Sequence, residues 1–250
     1  MNRKYAHGKP KSDGARSLFG ADRERYCLKQ LQQSGKGAVS ISKSKARPHN
    51  ERLRRAKTKK ILDAANEVFR RNGFLAVTMQ DIVDECGISR GGIYIYFSSV
   101  DEIFFEVIKR RNKERQSAMS RSLQDGESFE RVLGGYLERQ RARLAGFENS
   151  LFRAYCEYVF SKPRAAARAF SDVQLRHLRG TVASMFELGA AEGLVDRASV
   201  GALTDQFIVA IDGLGVMALG GNLTGDIIDA QLGILRAAAL GKNKSRRNGE

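Results

Sequence analysis

The chain has 250 residues, with 43 Lys and Arg against 28 Asp and Glu, for a formal net charge of +15. That is enough chain to bury one or two cores, and the charge is localised: residues 1–60 hold 18 basic and 4 acidic side chains, residues 61–240 hold 21 and 23, and the last ten hold 4 and 1. A near-neutral globule with basic ends points to a polyanionic partner, nucleic acid or an anionic membrane surface. Three scattered cysteines, Cys27, Cys86 and Cys156, argue against a disulfide framework or a thiolate zinc site, and Cys86 and Cys156 read as buried apolar residues.

No apolar run follows the basic N-terminus, as a secretory signal would require. The longest apolar stretch, Phe207 to Leu219, is interrupted by Asp212, Gly213 and Gly215 and is too short to cross a bilayer. The expectation is a cytoplasmic protein with no membrane partner.

Residues 1–50 are rich in Lys, Arg, Ser and Gly and show little periodicity. Such a composition cannot offset the entropy of ordering, which predicts a mostly disordered basic arm. Within it Leu18, Phe19, Tyr26, Leu28 and Leu31 could form a short helix on binding a partner. From Glu51 the pattern turns helical. Thr58, Ile61, Leu62, Ala65, Val68 and Phe69 share one face of a first helix that Gly73 ends.

Thr78 to Phe97 is the informative stretch. Thr78 can cap a helix with Asp81 as its N3 partner, Ile82, Val83 and Cys86 form its buried face, and Gly87 stops it. Ser89 supplies a second cap, opening a short helix over Arg90 to Phe97. Two short helices joined by a tight turn with glycine describe a helix-turn-helix, whose second helix reads the major groove with its N-terminal residues. Ile93 and Phe97 should face the core, leaving Arg90, Gly91, Gly92, Tyr94 and Tyr96 on the outer face or its margins. Two glycines in a helix cost about 1 kcal/mol each, which close approach of the backbone to a ligand could compensate. Arg90 can pair with guanine or phosphate, and the tyrosine hydroxyls can donate to phosphate oxygens. Ser99 and Glu102 then make a capping box opening a long fourth helix.

Further amphipathic segments span 101–122, 128–145, 147–161, 164–191, 199–220 and 225–240, giving about nine helices and no strand pattern. The expected organisation is an arm at 1–50, a helix-turn-helix domain at 51–100, a larger helical domain at 101–241 and a basic tail at 242–250. The last two helices are apolar on more than one face and require cover on several sides. The middle helices carry Phe152, Tyr155, Tyr158, Phe170 and Phe186, which could line a pocket for a largely apolar or aromatic small molecule.

Residues 58–105 resemble the DNA-binding domain of the TetR family of bacterial transcriptional regulators. The matching features are Val68-Phe-Arg-Arg-Asn-Gly-Phe74, the Thr78 cap, Ile82-Val83, Gly87-Ile-Ser89 and Tyr94-x-Tyr-Phe97 followed by Ser, Asp and Glu. The resemblance implies an all-α homodimer whose three N-terminal helices bind a palindromic double-stranded DNA operator, and whose C-terminal domain holds an effector pocket and the dimer interface. It implies DNA contacts from Thr78, Ser89, Arg90, Gly91, Gly92, Tyr94, Ile95 and Tyr96, and a repressor released by a small-molecule effector. Two positions depart from the family pattern. Val100 stands where a phosphate-contacting Lys is frequent, and Ile95 stands where a polar residue is frequent and could touch a thymine methyl.

Other readings are weaker. Gly87-Ile-Ser-Arg-Gly91 matches a nucleophile elbow but follows a helix rather than a strand. The glycines after Phe207 mimic a dinucleotide fingerprint with too little chain beyond them; the reading adopted is that Gly213, Gly215 and Gly220 allow close helix packing. No catalytic constellation, cofactor motif or metal-ligand cluster is apparent, so neither an enzyme nor a cofactor is expected. A helical protein using the basic arm on anionic lipid headgroups is the competing class.

Overall fold

The computed structural model describes residues 48–241. The tail at 242–250, Cys27, the segment around Leu18 to Leu31 and nearly all of the expected arm lie outside the described residues. Nine α-helices occupy this region: α1 (Pro48–Asn72), α2 (Met79–Cys86), α3 (Arg90–Tyr94), α4 (Val100–Gln124), α5 (Phe129–Ala145), α6 (Leu151–Ser161), α7 (Arg164–Ala191), α8 (Val200–Leu219) and α9 (Gly225–Leu240). Two short 3-10 turns, Phe147–Asn149 and Arg197–Ser199, complete the element order, and no strand occurs among the described residues. The fold is all-α, as the periodicity predicts.

The elements form where capping and apolar spacing demand. Ile61, Leu62, Ala65, Val68 and Phe69 are buried along one face of α1, and Ile82, Val83 and Cys86 along α2. α2 stops at Gly87, whose φ of 61° is a left-handed conformation that a Cβ would strain.

Two expected helices differ from those found. The segment 147–161 is not continuous: Ser150 takes an extended backbone, with φ −120° and ψ 144°, and its hydroxyl accepts the Arg153 N–H at 3.4 Å to open α6 afresh. The second helix of the helix-turn-helix ends at Tyr94 rather than Phe97. There the Tyr96 N–H turns back to the Ile93 carbonyl at 2.9 Å, a tighter closure than an α-helix makes, and this drops Phe97 into the core beside Ile93.

Two apolar cores result. One joins α1, α2, α3 and the start of α4 to Leu151, Ala154 and Tyr158 of α6 and Phe170 of α7. The other lies among α4, α5, α7, α8 and α9, around Phe129, Phe186 and Phe207. α4 contributes to both, with Phe104 in the first and Met119 in the second.

Of the three glycines expected to allow close packing near the end of the chain, only Gly215 does so: a Cβ there would overlap the Phe152 ring, whereas Gly213 faces open space and Gly220 caps α8 beside Asn222. Helical structure from Arg197 to Leu219 covers 23 residues, longer than the Phe207 to Leu219 stretch suggests, and by length and composition alone it is apolar enough to cross a membrane. Its Leu203, Phe207, Ile208, Ile211 and Leu214 are buried in the second core instead.

Candidate nucleic-acid interface

The reading head is held by reciprocal caps. The Asp81 N–H donates to Thr78 Oγ1 at 3.3 Å, while the Thr78 N–H and hydroxyl both donate to Asp81 Oδ2 at 2.7 Å. Those bonds hold the Asp81 carboxyl below its ordinary pKa and commit the Thr78 hydroxyl proton to the cap. Ser89 caps α3 by accepting the Gly92 N–H at 3.1 Å. Its hydroxyl proton remains available to a phosphate. Ser99 accepts the Glu102 N–H at 3.2 Å, and the Glu102 carboxylate takes the N–H and O–H of Ser98, both at 2.7 Å.

With Ile93 and Phe97 anchored below, α3 and its following turn present Arg90, Gly91, Tyr94 and Ile95 outward. Tyr94 is 48% exposed and Ile95 is 74% exposed, so Ile95 is not a packed residue. Tyr96 is half-buried against the head core, which separates the two tyrosines: one free to reach out, one at the margin. The two glycines also separate. A Cβ on Gly91 would meet nothing, whereas one on Gly92 would come within 2.9 Å of the Ser89 hydroxyl. Gly92 therefore serves the cap, and Gly91 keeps the outer surface low. Val100 opens α4 and is half-buried against the head core.

The head needs cations from elsewhere, because Thr78 to Phe97 has one basic residue and three acids. The start of α1 supplies them. Asn50, Leu53, Arg54 and Lys57 line a groove of about 330 Å³ whose far wall is Ile95 and Tyr96. Neither Arg54 nor Lys57 has an ion-pair partner among the described residues. A positive groove beside an apolar and aromatic rim suits a nucleic-acid backbone.

Four of the five aromatics expected at an effector pocket form one chain of ring contacts, Phe152 to Tyr155, Tyr155 to Phe170 at 5.7 Å and Phe170 to Tyr158, and only Phe186 lies apart. Tyr158 and Phe170 are fully buried in the head core, with ring centroids 4.7 Å apart and Phe104 5.2 Å from Tyr158. Phe186 is fully buried in the other core, edge-on to Phe207 at 4.9 Å. Only Phe152 and Tyr155 remain half-buried, stacked at 6.0 Å on α6. Sequence reasoning missed their charged neighbours. The Arg143 guanidinium of α5 lies 4.8 Å over the Phe152 ring. Asp212 of α8 and Arg115 of α4 share its electrostatic surroundings. Burial raises the pKa of Asp212 and lowers those of both arginines, Arg115 to about 10. The available signal is Asp212, the one charged residue in the apolar stretch Phe207 to Leu219.

The sequence pattern of the bacterial regulatory proteins of the tetR family matches residues 61–107. The chain is 35% identical over 108 residues to an HTH-type transcriptional regulator of Bacillus subtilis, covering 43% of this chain and 52% of the relative. It is 26% identical over 96 residues to a fatty acid metabolism regulator protein of the same organism, covering 38% of this chain and 50% of the relative. These matches thus span about half the length of those relatives. Among solved structures, a transcriptional regulator of Saccharomonospora viridis in complex with choline aligns with a TM-score of 0.60 at 21% identity, covering 75% of this chain and 97% of that one. A regulator of Bacillus subtilis in complex with stearoyl-CoA aligns with a TM-score of 0.57 at 18% identity, covering 73% and 97%. The capped helix-turn-helix, the all-α architecture and the family pattern agree, and residues 61–107 belong to the tetR family of bacterial regulatory proteins.

Proposed function

We propose that the protein is a homodimeric transcriptional regulator that represses from a palindromic operator and is released by a small-molecule effector with a largely apolar body. The observation that carries the DNA-binding part is the outward face of α3, where Arg90, Gly91, Tyr94 and Ile95 stand clear of the core while Ile93 and Phe97 fix the helix from beneath. Arg90 and Ile95 would read base edges. Ser89, Tyr94 and the α1 cations Arg54 and Lys57 would hold phosphates.

The outer faces of α8 and α9 support the dimer. Val209, Val216 and Met217 on α8 and Ile234 on α9 are exposed, interspersed with Gly213, Ala230, Gly233 and Ala237, also exposed. Small and apolar residues at helical spacing allow two such pairs to pack closely about a twofold axis. Two heads on one axis would read half-sites about one turn of DNA apart, or a multiple of it.

A route from effector to head runs through α6. Its Phe152 and Tyr155 flank the charged interior, and its Glu157 accepts the Phe74 N–H at 2.6 Å and the Leu75 N–H at 3.1 Å in the turn after α1. Gly73 has a φ of 77°, and a Cβ there would overlap the Glu157 carboxylate, so the clasp closes directly on backbone. An effector that displaced α6 would pull on the turn beneath the reading helix. The relatives solved with choline and with stearoyl-CoA support a small-molecule effector.

The test is enrichment of bound DNA from a random pool by the full chain. The expected result is an inverted repeat whose recognition depends on Arg90 and Tyr94. A selected sequence without dyad symmetry, or no selection, overturns the reading.

A further inference from the structure

We propose that Arg115 and Arg143 form an anion site inside the helical domain, which takes the acidic head of an amphipathic ligand whose apolar body lies against Phe152 and Tyr155. This inference rests on reading that domain as effector-binding and adds the chemical class of the effector.

Arg143 projects from α5 over the Phe152 ring. Its Nε is buried and has no hydrogen-bond partner, a costly condition for a charged donor. A second buried guanidinium nitrogen without a partner, on Arg110, belongs to a side chain already bridged to Asp63 and Glu114. Arg143 has no such bridge among the described residues.

Arg115 on α4 shows the same lack of pairing in another form. Arg115 is a solvent-exposed residue without an ion-pair partner among the described residues, and its guanidinium is repelled by Arg143 and Arg111. Asp212 is the acid in the same surroundings. It attracts both arginines but makes no ion pair with either at contact distance among the described residues, and burial works against its charge. Two cations thus face one reluctant anion that does not touch them. Interior charges are ordinarily paired, because an uncompensated one is strongly unfavourable. An anion seated between Arg143 and Arg115 supplies the missing partner. A carboxylate or a phosphate fits the planar fork of Arg in two-point fashion. The stacked Phe152 and Tyr155 rings, 6.0 Å apart and on the α6 side of Arg143, offer an apolar bed for the remainder of the ligand.

The experiment is calorimetric titration of the full chain with decanoate, decyl phosphate, decan-1-ol and inorganic phosphate, repeated on Arg143→Gln, Arg115→Gln and Asp212→Asn. Circular dichroism verifies that each variant is folded. Decanoate or decyl phosphate should bind about 10- to 100-fold more tightly than decanol, and each arginine variant should lose that margin while binding decanol unchanged. Asp212→Asn removes the competing carboxylate and should tighten the anions. Preference for one head over the other identifies a carboxylic acid or a phosphate ester as the ligand. The proposal is overturned by equal binding of decanol and decanoate, by undiminished decanoate binding in Arg143→Gln, by inorganic phosphate binding as tightly as decyl phosphate, or by no binding of any probe. Operator release is measured alongside. Release by decanol as readily as by decanoate removes the anion site but leaves an effector-controlled regulator. Arg143-dependent binding without release keeps the anion site and removes effector control.

Discussion

The two cores obey different rules. Around the reading head the interior is aromatic and complete: Phe69, Phe74, Phe104, Tyr158 and Phe170 stack or meet edge-on, with neighbouring centroids of 4.7 to 5.2 Å for most pairs. Lys162 closes one end, bridged to Asp101 and 4.9 Å over Tyr158. In the helical domain the half-buried Arg143 and Asp212 instead share one electrostatic field with the exposed Arg115. Stability alone would replace them with apolar residues. The difference separates a core closed on itself from a domain that, as proposed above, takes a ligand.

The largest test of that contrast is Phe104→Ala, which empties a fully buried site shared by α1, α4, α6 and α7. It should destabilise by about 3–5 kcal/mol, and calorimetry should show one transition, since the head core extends into α6 and α7. Two separated transitions would show that the head melts alone. Next in size, Arg90→Ala with Tyr94→Ala should leave the melting temperature unchanged and weaken operator binding by about 10- to 100-fold, with relaxed sequence preference. Unaltered preference in a gel-shift assay would move base reading off α3.

Glu157→Gln probes the clasp between α6 and the head. Burial acts to raise the Glu157 pKa, but hydrogen bonds from the Leu75 N–H, Arg153 and the Phe74 N–H outweigh it and leave the carboxyl below its ordinary value. A depressed folded-state pKa stabilises above the unfolded value of about 4.3 and is lost as pH falls through the folded one. The variant should cost about 1–3 kcal/mol at neutral pH, less as the solution is acidified below about pH 4. A pH-independent difference would remove the charge from the explanation. Neutralising Arg54 and Lys57 to Gln should lower the slope of log affinity against log salt by about 1 to 2 without altering the preferred sequence. The smallest effect is expected of Gly91→Ala. With nothing near its Cβ, the protein should gain about 0.5–1 kcal/mol of stability and bind DNA less well. Improvement in both would show that DNA does not approach this backbone.

Much of the head is written in local signals. The Thr78 and Ser89 caps, the left-handed Gly87 and the buried Ile82, Val83 and Ile93 each follow from residues within four positions, so sequence alone locates them. The shortened α3 does not, because its tighter closure at Ile93 serves the burial of Phe97. The aromatics of the middle helices show the same limit. Tyr155 and Tyr158 are one turn apart, yet Tyr158 is fully buried in a head core whose other members come largely from residues 61–108, while Tyr155 lies at its edge and reaches Ser171 at 3.2 Å. Arg115, Arg143 and Asp212 come from three helices with no motif linking them. Only tertiary packing brings them into one field.

Gly215 adds a last consequence. Because the Phe152 ring lies where its side chain would begin, a single methyl group at this position would force that ring, which carries the Arg143 contact, to move. No residue of the reading helix lies within reach of that contact. Under the proposed effector control, residue 215 is therefore a dial by which a lineage exchanges its signal in one mutational step while keeping its operator.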